Sequence, residues 1–315
     1  MRCVFRRNYG SLTSDGSLSE TSRWRAIVRV LRSPLNAIGS TLLPAPCTLC
    51  GSPLPRLSSV PIREACWSEI PAQSDGVCLR CGDTLDAPPV TGVEGSYVCR
   101  ACRQILPAFA RAVSFGTYDG RLREAIHALK YDRLHPAATK LGAMLAEVIA
   151  ELRPYAPARL LVIPVPLHRS KQKQRGFNPA RALAIGAIRR LRATHPDWEL
   201  QLAPCTLMRL RATETQAGLT PTQRRKNVRG ALKVSDPAAV QGQHVLLVDD
   251  ILTTGATARS AAQSLIKAGA ESVYVATLAR ARRLNSNVSP PQAAQVAQSA
   301  FADMHSSSSS HQPAS

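Results

Sequence analysis

Aromatic residues are scarce in this chain: Phe, Trp and Tyr together make up 4% of its 315 residues. A core must therefore come from Leu, Ile, Val and Ala, which favours helices packed on parallel strands. Long apolar runs are missing as well. None approaches the roughly 20 residues that a membrane-spanning helix needs, and the first 30 residues lack the apolar centre of a signal peptide. A soluble, cytoplasmic protein without a membrane span is expected. Acids are the third shortage, with 21 Asp and Glu against 40 Lys and Arg, a formal net charge of +19. Between 169 and 230 there are 14 basic residues and three acids (Asp197, Glu199, Glu214), a local excess of 14 − 3 = +11. Such a balance attracts polyanions, nucleic acid or phosphorylated metabolites, although a solvated basic surface would have the same composition.

What the chain does have is cysteine, unevenly placed. Seven of nine lie between 47 and 102, and six of these form CxxC pairs at 47/50, 78/81 and 99/102. A disulfide framework belongs to small exported proteins, and nothing here signals export, so the cluster reads as metal binding. Cys78, Cys81, Cys99 and Cys102 supply four thiolates as two knuckles, the arrangement of a zinc ribbon. Four thiolates close a tetrahedral shell and leave no position for water activation, so the zinc would be structural. Cys47 and Cys50 offer two further ligands and Cys66 a third; interleaved pairing of the knuckles stays open. Cys3 and Cys205 read as bystanders.

After Pro107 the pattern changes. Leu122, Ala125, Ile126 and Leu129, then Leu141, Leu145, Val148, Ile149 and Leu152, recur at helical spacing. Short apolar runs at Leu160–Val165, Val245–Val248 and Ser272–Leu278 alternate with them. Strands separated by helices indicate a parallel sheet covered on both faces. The expected organisation is a leader over 1–44, poorly ordered or a single helix; a small zinc-ribbon domain over 45–106; an α/β domain over 107–284; and a disordered Ser, Gln and Pro tail over 285–315.

The densest signal is VDDILTTGAT, 248–257. Gln243–Val248 reads as a buried strand ending in the acid pair Asp249 and Asp250. Thr253, Thr254, Gly255, Ala256 and Thr257 then lead into a helix with Ala258, Ala261, Ala262, Leu265 and Ile266 on one face. Backbone N–H groups of such a loop and the helix N-terminus form an anion site, with Gly255 allowing close approach and the threonine hydroxyls donating to a phosphate. Adjacent carboxylates accept hydrogen bonds from a vicinal diol and can meet Mg²⁺ through water. An Asp cap before an ordinary helix would use some of these residues, but not the whole strand–acid–hydroxyl–helix series.

This segment resembles the phosphoribosyl pyrophosphate (PRPP) motif of type I phosphoribosyltransferases. The stretch from Cys47 to Leu278 resembles the ComF family of competence-related proteins, through YDGRLREAIHALKY (118–131), VPLHRSKQKQRGFNPA (165–180), RLRATETQAGLTPTQRRKNVRGAL (209–232) and the motif itself. The resemblance implies a type I phosphoribosyltransferase-like parallel sheet flanked by helices, with Asp249 and Asp250 holding ribose hydroxyls and residues 253–257 wrapping the 5′-phosphate. It also implies a second full ribbon, whose missing ligand falls at Arg63 in register.

On physical grounds Arg169, Lys171, Lys173 and Arg175 could neutralise a pyrophosphate, because ligands of such sheets sit beyond the carboxyl ends of strands. Lys130 is either a phosphate ligand or a helix-end cation answering the dipole. Residues 209–229 read as a flap or a solvated linker. His127 and His168 receive no proton-transfer role. The expected function is a ComF-like phosphoribosyltransferase of the pentosyl class, or a non-catalytic nucleotide- or nucleic-acid-binding module on that fold. The implied cofactors are structural Zn²⁺ and Mg²⁺ with PRPP. The implied partners are PRPP, single-stranded DNA in DNA uptake and a helicase-like competence protein.

Overall fold

Five strands form a wholly parallel sheet in the order β1–β7–β6–β2–β3. They are β1 (Arg111–Thr117), β2 (Arg159–Pro164), β3 (Glu199–Leu202), β6 (His244–Leu252) and β7 (Ser272–Arg280). This computed structural model describes residues 46–56, 58–73, 76–85, 97–131, 134–211 and 230–281. The leader, the tail and residues 212–229 of the expected flap lie outside them. No helix among the described residues is long and apolar enough to cross a membrane.

Strand alternation sorts the core into two layers. Leu246 and Val248 of β6 join one buried cluster, while Val245 and Leu247 join the other, as the two-residue period of a strand requires. The first layer holds α3 (Gly120–Tyr131), α4 (Ala137–Ala150) and α6 (Pro179–Thr194), and the second holds α7 (Ala256–Lys267). The expected apolar faces of α3 and α4 are buried, Leu122, Ile126, Leu129, Leu141 and Leu145 each at 1% exposure or less. On α7 the buried face is Ala258, Ala261, Ala262 and Leu265, whereas Ile266 is 41% exposed. Ile266 follows Leu265 by about 100° around the helix, which turns it out of the seam.

Helices α4 and α6 touch backbone to backbone. A Cβ placed on Gly142 would sit 2.7 Å from the Gly186 Cα, and one on Gly186 would sit 2.8 Å from the Ala138 carbonyl oxygen. Both positions therefore exclude a side chain for reasons of space.

The cysteine segment packs into both layers. Cys47, Leu49, Leu54, Ile62, Cys66 and Trp67 share the first cluster, and Cys78, Cys81 and Cys102 the second, so packing continues across residue 107. Its helices are the short α1 (Glu64–Ser68) and α2 (Arg100–Gln104). Between β3 and β6, β4 (Leu207–Arg209) pairs antiparallel with β5 (Leu232–Val234), and the Leu210 amide reaches the Ala231 carbonyl at 2.9 Å. The described ends of the flap segment are thus clasped together. The remaining short helix, α5 (Arg169–Arg175), follows β2.

Candidate functional site: an acid pair, an anion loop and two cysteine ribbons

Strand β6 is longer than the sequence suggests. It does not stop at Val248 but runs through the acids to Leu252, because β7 continues beside it, Asp249 opposite Thr277 and Leu252 opposite Arg280. Extended backbone through the pair sends the two carboxylates to different sides of the strand. The chain then turns at Gly255, whose φ of +76° is the left-handed conformation that favours glycine. From there α7 begins with its first N–H groups free of helical partners. Thr254 Oγ1 accepts from the Ala256 amide at 3.4 Å, a weak cap that draws this threonine toward the helix.

Asp249, Asp250, Thr253, Gly255, Ala256 and Thr257 line a cleft of about 300 Å³ at the carboxyl end of the sheet. Four cations line it as well: Lys130 from the end of α3, Lys171 and Arg175 from α5, and Arg209 from β4. Lys130 Nζ lies 2.8 Å from Asp250 Oδ2, with both side chains about 15% exposed, so this lysine answers an acid and not only the helix dipole. Burial, reinforced by the neighbouring Asp250, pushes the Asp249 carboxyl up to about 7. Burial likewise lowers Lys171, helped by Arg175, Arg209 and Lys130, and lowers Arg209 against the pull of Asp249. With four cations lining the cleft against two acids, it attracts an anion carrying several charges.

The basic stretch after β2 divides in two. As a helix, α5 turns Lys171 and Arg175 into the cleft one turn apart, while Arg169 and Lys173 are exposed and do not line it. His168 caps α5, its Nδ1 accepting from the Ser170 amide at 3.3 Å, and His127 stacks 4.4 Å from Tyr131. Tyr118 and Tyr131 also line the cleft, with the Arg175 guanidinium 4.9 Å over the Tyr131 ring. Sequence reasoning passed over both tyrosines, and it placed Arg209 in the flap. Arg280 was missed too: 2% exposed, its Nη1 donates to the carbonyls of Leu252 (3.0 Å) and Thr253 beneath the loop.

The cysteine ribbons are two copies of one design. In each, the first cysteine N–H bonds a carbonyl five residues on, Cys47 to Ser52 and Cys78 to Asp83, both at 2.8 Å. In each an antiparallel bridge closes the knuckle, Pro46 with Pro53 and Val77 with Thr84. The second half starts with an extended residue before a five-residue helix, Arg63 before α1 and Cys99 before α2, and its amide donates to the first cysteine's Sγ at 3.3 Å. Arg63 therefore occupies the place of Cys99, as the resemblance implied.

Within each set, Cys78, Cys81, Cys99 and Cys102, and Cys47, Cys50 and Cys66, all Sγ atoms lie within 4.8 Å of one another. The separations of 3.7 Å (Cys81–Cys99) and 3.8 Å (Cys47–Cys66) match the edge, about 3.8 Å, of a tetrahedron of sulfurs about 2.3 Å from zinc. A disulfide would need about 2.05 Å. The donor sets thus suit zinc, closed in the second ribbon and one thiolate short in the first. In the first, Ser52 hydrogen bonds lower Cys50 to about 6, while burial raises Cys66 to about 12.

Residues 174–293 match the family model "Phosphoribosyl transferase domain". DNA utilization protein YhgH of Salmonella typhimurium is 32% identical over 240 residues, covering 76% of this chain and 98% of that protein. Competence protein F of Haemophilus influenzae is 27% identical over 225 residues, covering 69% and 95%. Among solved structures, glutamine PRPP amidotransferase from B. subtilis in complex with ADP and GMP overlaps at a TM-score of 0.28, with 26% identity, 45% of this chain and 26% of that one. Phosphoribosyl transferase domain, parallel sheet and cysteine ribbons occur here in one chain whose similarity to YhgH and competence protein F spans most of its length, and the chain belongs to the ComF family.

Proposed function

We propose that the cleft binds PRPP, or a close phosphoribosyl relative, together with Mg²⁺, and that the protein is a phosphoribosyltransferase of the pentosyl class. One observation carries this reading: an acid pair and a glycine-turned anion loop open from one strand into a cleft that four cations also line. Asp249 and Asp250 accept the ribose hydroxyls, each carboxylate having room for two donors. The amides of 255–257 and the hydroxyls of Thr253 and Thr257 take the 5′-phosphate at the start of α7, where backbone dipoles favour negative charge. Thr254 steadies the turn. Lys130 holds Asp250 in place, and Lys171, Arg175 and Arg209 face the departing pyrophosphate, with Arg169 and Lys173 contributing field at longer range. Mg²⁺, where bound, supplies charge neutralisation of the pyrophosphate. Zinc is structural, held by Cys78, Cys81, Cys99 and Cys102, with Cys47, Cys50 and Cys66 as a second, incomplete set.

The relatives' names, DNA utilization protein and competence protein, support a role in DNA uptake or use, for which we propose single-stranded DNA as acceptor or companion. The excess of +11 between 169 and 230 supports that reading. Calorimetric titration with PRPP, with and without Mg²⁺, tests it beside Asp249→Asn/Asp250→Asn. Mg²⁺-assisted binding that the double variant loses is expected. Binding that survives the double variant would overturn the ribose assignment, and no binding by the parent protein would leave a nucleic-acid-binding module on this fold.

A further inference from the structure

Arg280 is 2% exposed, yet it carries a charge and five N–H donors. A buried guanidinium persists where an acid answers its charge and carbonyls take its hydrogens, although here the Nε has no hydrogen-bond partner among the described residues. Strand register places it at the carboxyl end of β7, between Thr117 of β1 and Leu252 of β6, directly under the turn into the anion loop. Its Nη1 donates to the carbonyls of Leu252 and Thr253, and its Nη2 lies 3.0 Å from Asp83 Oδ2, an ion pair off the ideal hydrogen-bond angle. Asp83 is 6% exposed and stands two residues after Cys81, and its carbonyl accepts from the Cys78 amide at 2.8 Å. One side chain thus joins the second cysteine knuckle to the first residues of the phosphate cradle, two segments separated by about 170 positions in the chain.

We propose that Arg280 is a positioning residue through which the folded second ribbon sets the conformation of the anion loop. With its four thiolates gathered, the knuckle fixes Asp83, Asp83 fixes the guanidinium fork, and the fork holds the carbonyls of Leu252 and Thr253. The amides of Thr253 and Thr254, which share those planar peptide units, are then fixed, and with them the start of the turn that leads to the amides of 255–257. A planar fork with one nitrogen on the carbonyls and the other toward Asp83 is what arginine offers and lysine does not. The ribbon is thereby part of the ligand site without touching the ligand. Among the described residues the first ribbon has no equivalent: the place of Asp83 is taken there by Ser52, and the arginine that reaches that ribbon, Arg121, bonds the Leu49 carbonyl and Glu69.

The consequence for ligand affinity rests on the PRPP reading, but the consequence for loop order does not. Full-length zinc-loaded protein, Asp83→Asn and Arg280→Lys are compared by amide hydrogen exchange of the peptide spanning 249–258, by zinc content and by calorimetry with PRPP and Mg²⁺. Both variants are expected to keep the zinc of the second ribbon and the protection of β6 up to Val248, while the peptide spanning 249–258 exchanges faster at its loop end. PRPP affinity falls roughly 10- to 100-fold, the scale on which removal of an outer-shell partner acts. Zinc removal from the parent protein speeds the same amides, and in Asp83→Asn it adds nothing further at the loop, since the two perturbations share one path. Unchanged loop exchange in a zinc-retaining Asp83→Asn or Arg280→Lys protein would overturn the proposal. Arg280→Lys decides alone if Asp83→Asn does not fold. If the parent protein fails to bind PRPP, the donor-site reading falls and loop exchange still decides this one.

Discussion

Cys47, Cys50 and Cys66 lie in the layer with α3, whose last turn carries Lys130 to Asp250, whereas Cys78, Cys81, Cys99 and Cys102 lie in the layer with α7 and the anion loop. The two ribbons share their knuckle hydrogen bonds, bridge and helix, and differ at one ligand, Arg63 against Cys99, and at one neighbour, Ser52 against Asp83. The lesson is that backbone architecture survives the loss of a ligand when the surrounding core is apolar. Leu49, Leu54, Ile62 and Trp67 are all buried with the first ribbon. Among the described residues the second has few such neighbours from its own segment, so we expect it to depend more heavily on its thiolates.

That contrast yields its largest effect on stability. Cys102→Ser, at a fully buried ligand, should release the zinc of the second ribbon and remove most of a stability that for domains of this kind is roughly 5–15 kcal/mol. Cys50→Ser, at a half-exposed ligand, should leave a cooperative transition with a far smaller loss. Calorimetric melting with zinc analysis of the folded fraction measures both, and equal losses would abolish the distinction.

The cleft that both layers support should respond to pH through Asp249. Its carboxyl is held near 7 against an ordinary 3.8, so the native protein keeps a proton that the unfolded chain has released across that window. Native-state stability from this group therefore falls as pH rises from about 4 to 7, and Asp249→Asn removes the fall. Hydroxyl and cation binding need the ionised form, so PRPP–Mg²⁺ affinity should rise about tenfold between pH 6 and 8, since each pH unit below the pKa lowers the ionised fraction up to tenfold. A flat profile in calorimetry at matched buffer heats would remove Asp249 from the ribose contact.

Two smaller tests separate the ribbons further. Arg63→Cys should complete the first shell and slow the release of its zinc to a chromogenic chelator until both ribbons lose metal at one rate. Two release phases persisting in that variant would show that the register of Arg63 with Cys99 does not extend to the side chain. Arg121→Gln, which removes an exposed ion pair with Glu69 and the bond to the Leu49 carbonyl, should shift the melting temperature least, because exposed pairs contribute little. It should leave loop exchange at 253–257 untouched, unlike Asp83→Asn.

Much of the layered fold was legible because it rests on local periodicity. The apolar spacings of α3 and α4, the runs of β2, β6 and β7, and the strand–acid–loop–helix series of 243–267 all reach their structural counterparts. What stayed hidden depends on neighbours distant in sequence. Strand β6 continues past Val248 because β7 is beside it, which no composition of VDDIL reveals. The basic stretch 169–175 reads as one patch until a helix sorts Lys171 and Arg175 from Arg169 and Lys173. Arg209 reaches the cleft from β4, which pairs with β5, and Arg280, two residues past the run Ser272–Leu278, gains a role only when Asp83 arrives from the ribbon.

One small hydrogen bond has mechanical consequences for the cleft. The Asn178 side-chain amide donates to the Val165 carbonyl at 3.0 Å, and its oxygen caps α6 at the Ala180 amide. The chain leaving β2 is therefore returned to its own starting point before α6 begins, and α6 is itself clamped to α4 at Gly142 and Gly186. Helix α5 therefore lies in a loop closed on itself at Val165 and Asn178, with the Arg175 guanidinium over the Tyr131 ring and Phe177 against His135 as further anchors. Lys171 and Arg175 thus reach the cleft from a base tied to the sheet and to α6, and the charge at the cleft mouth is placed by that closure and not by the strand itself.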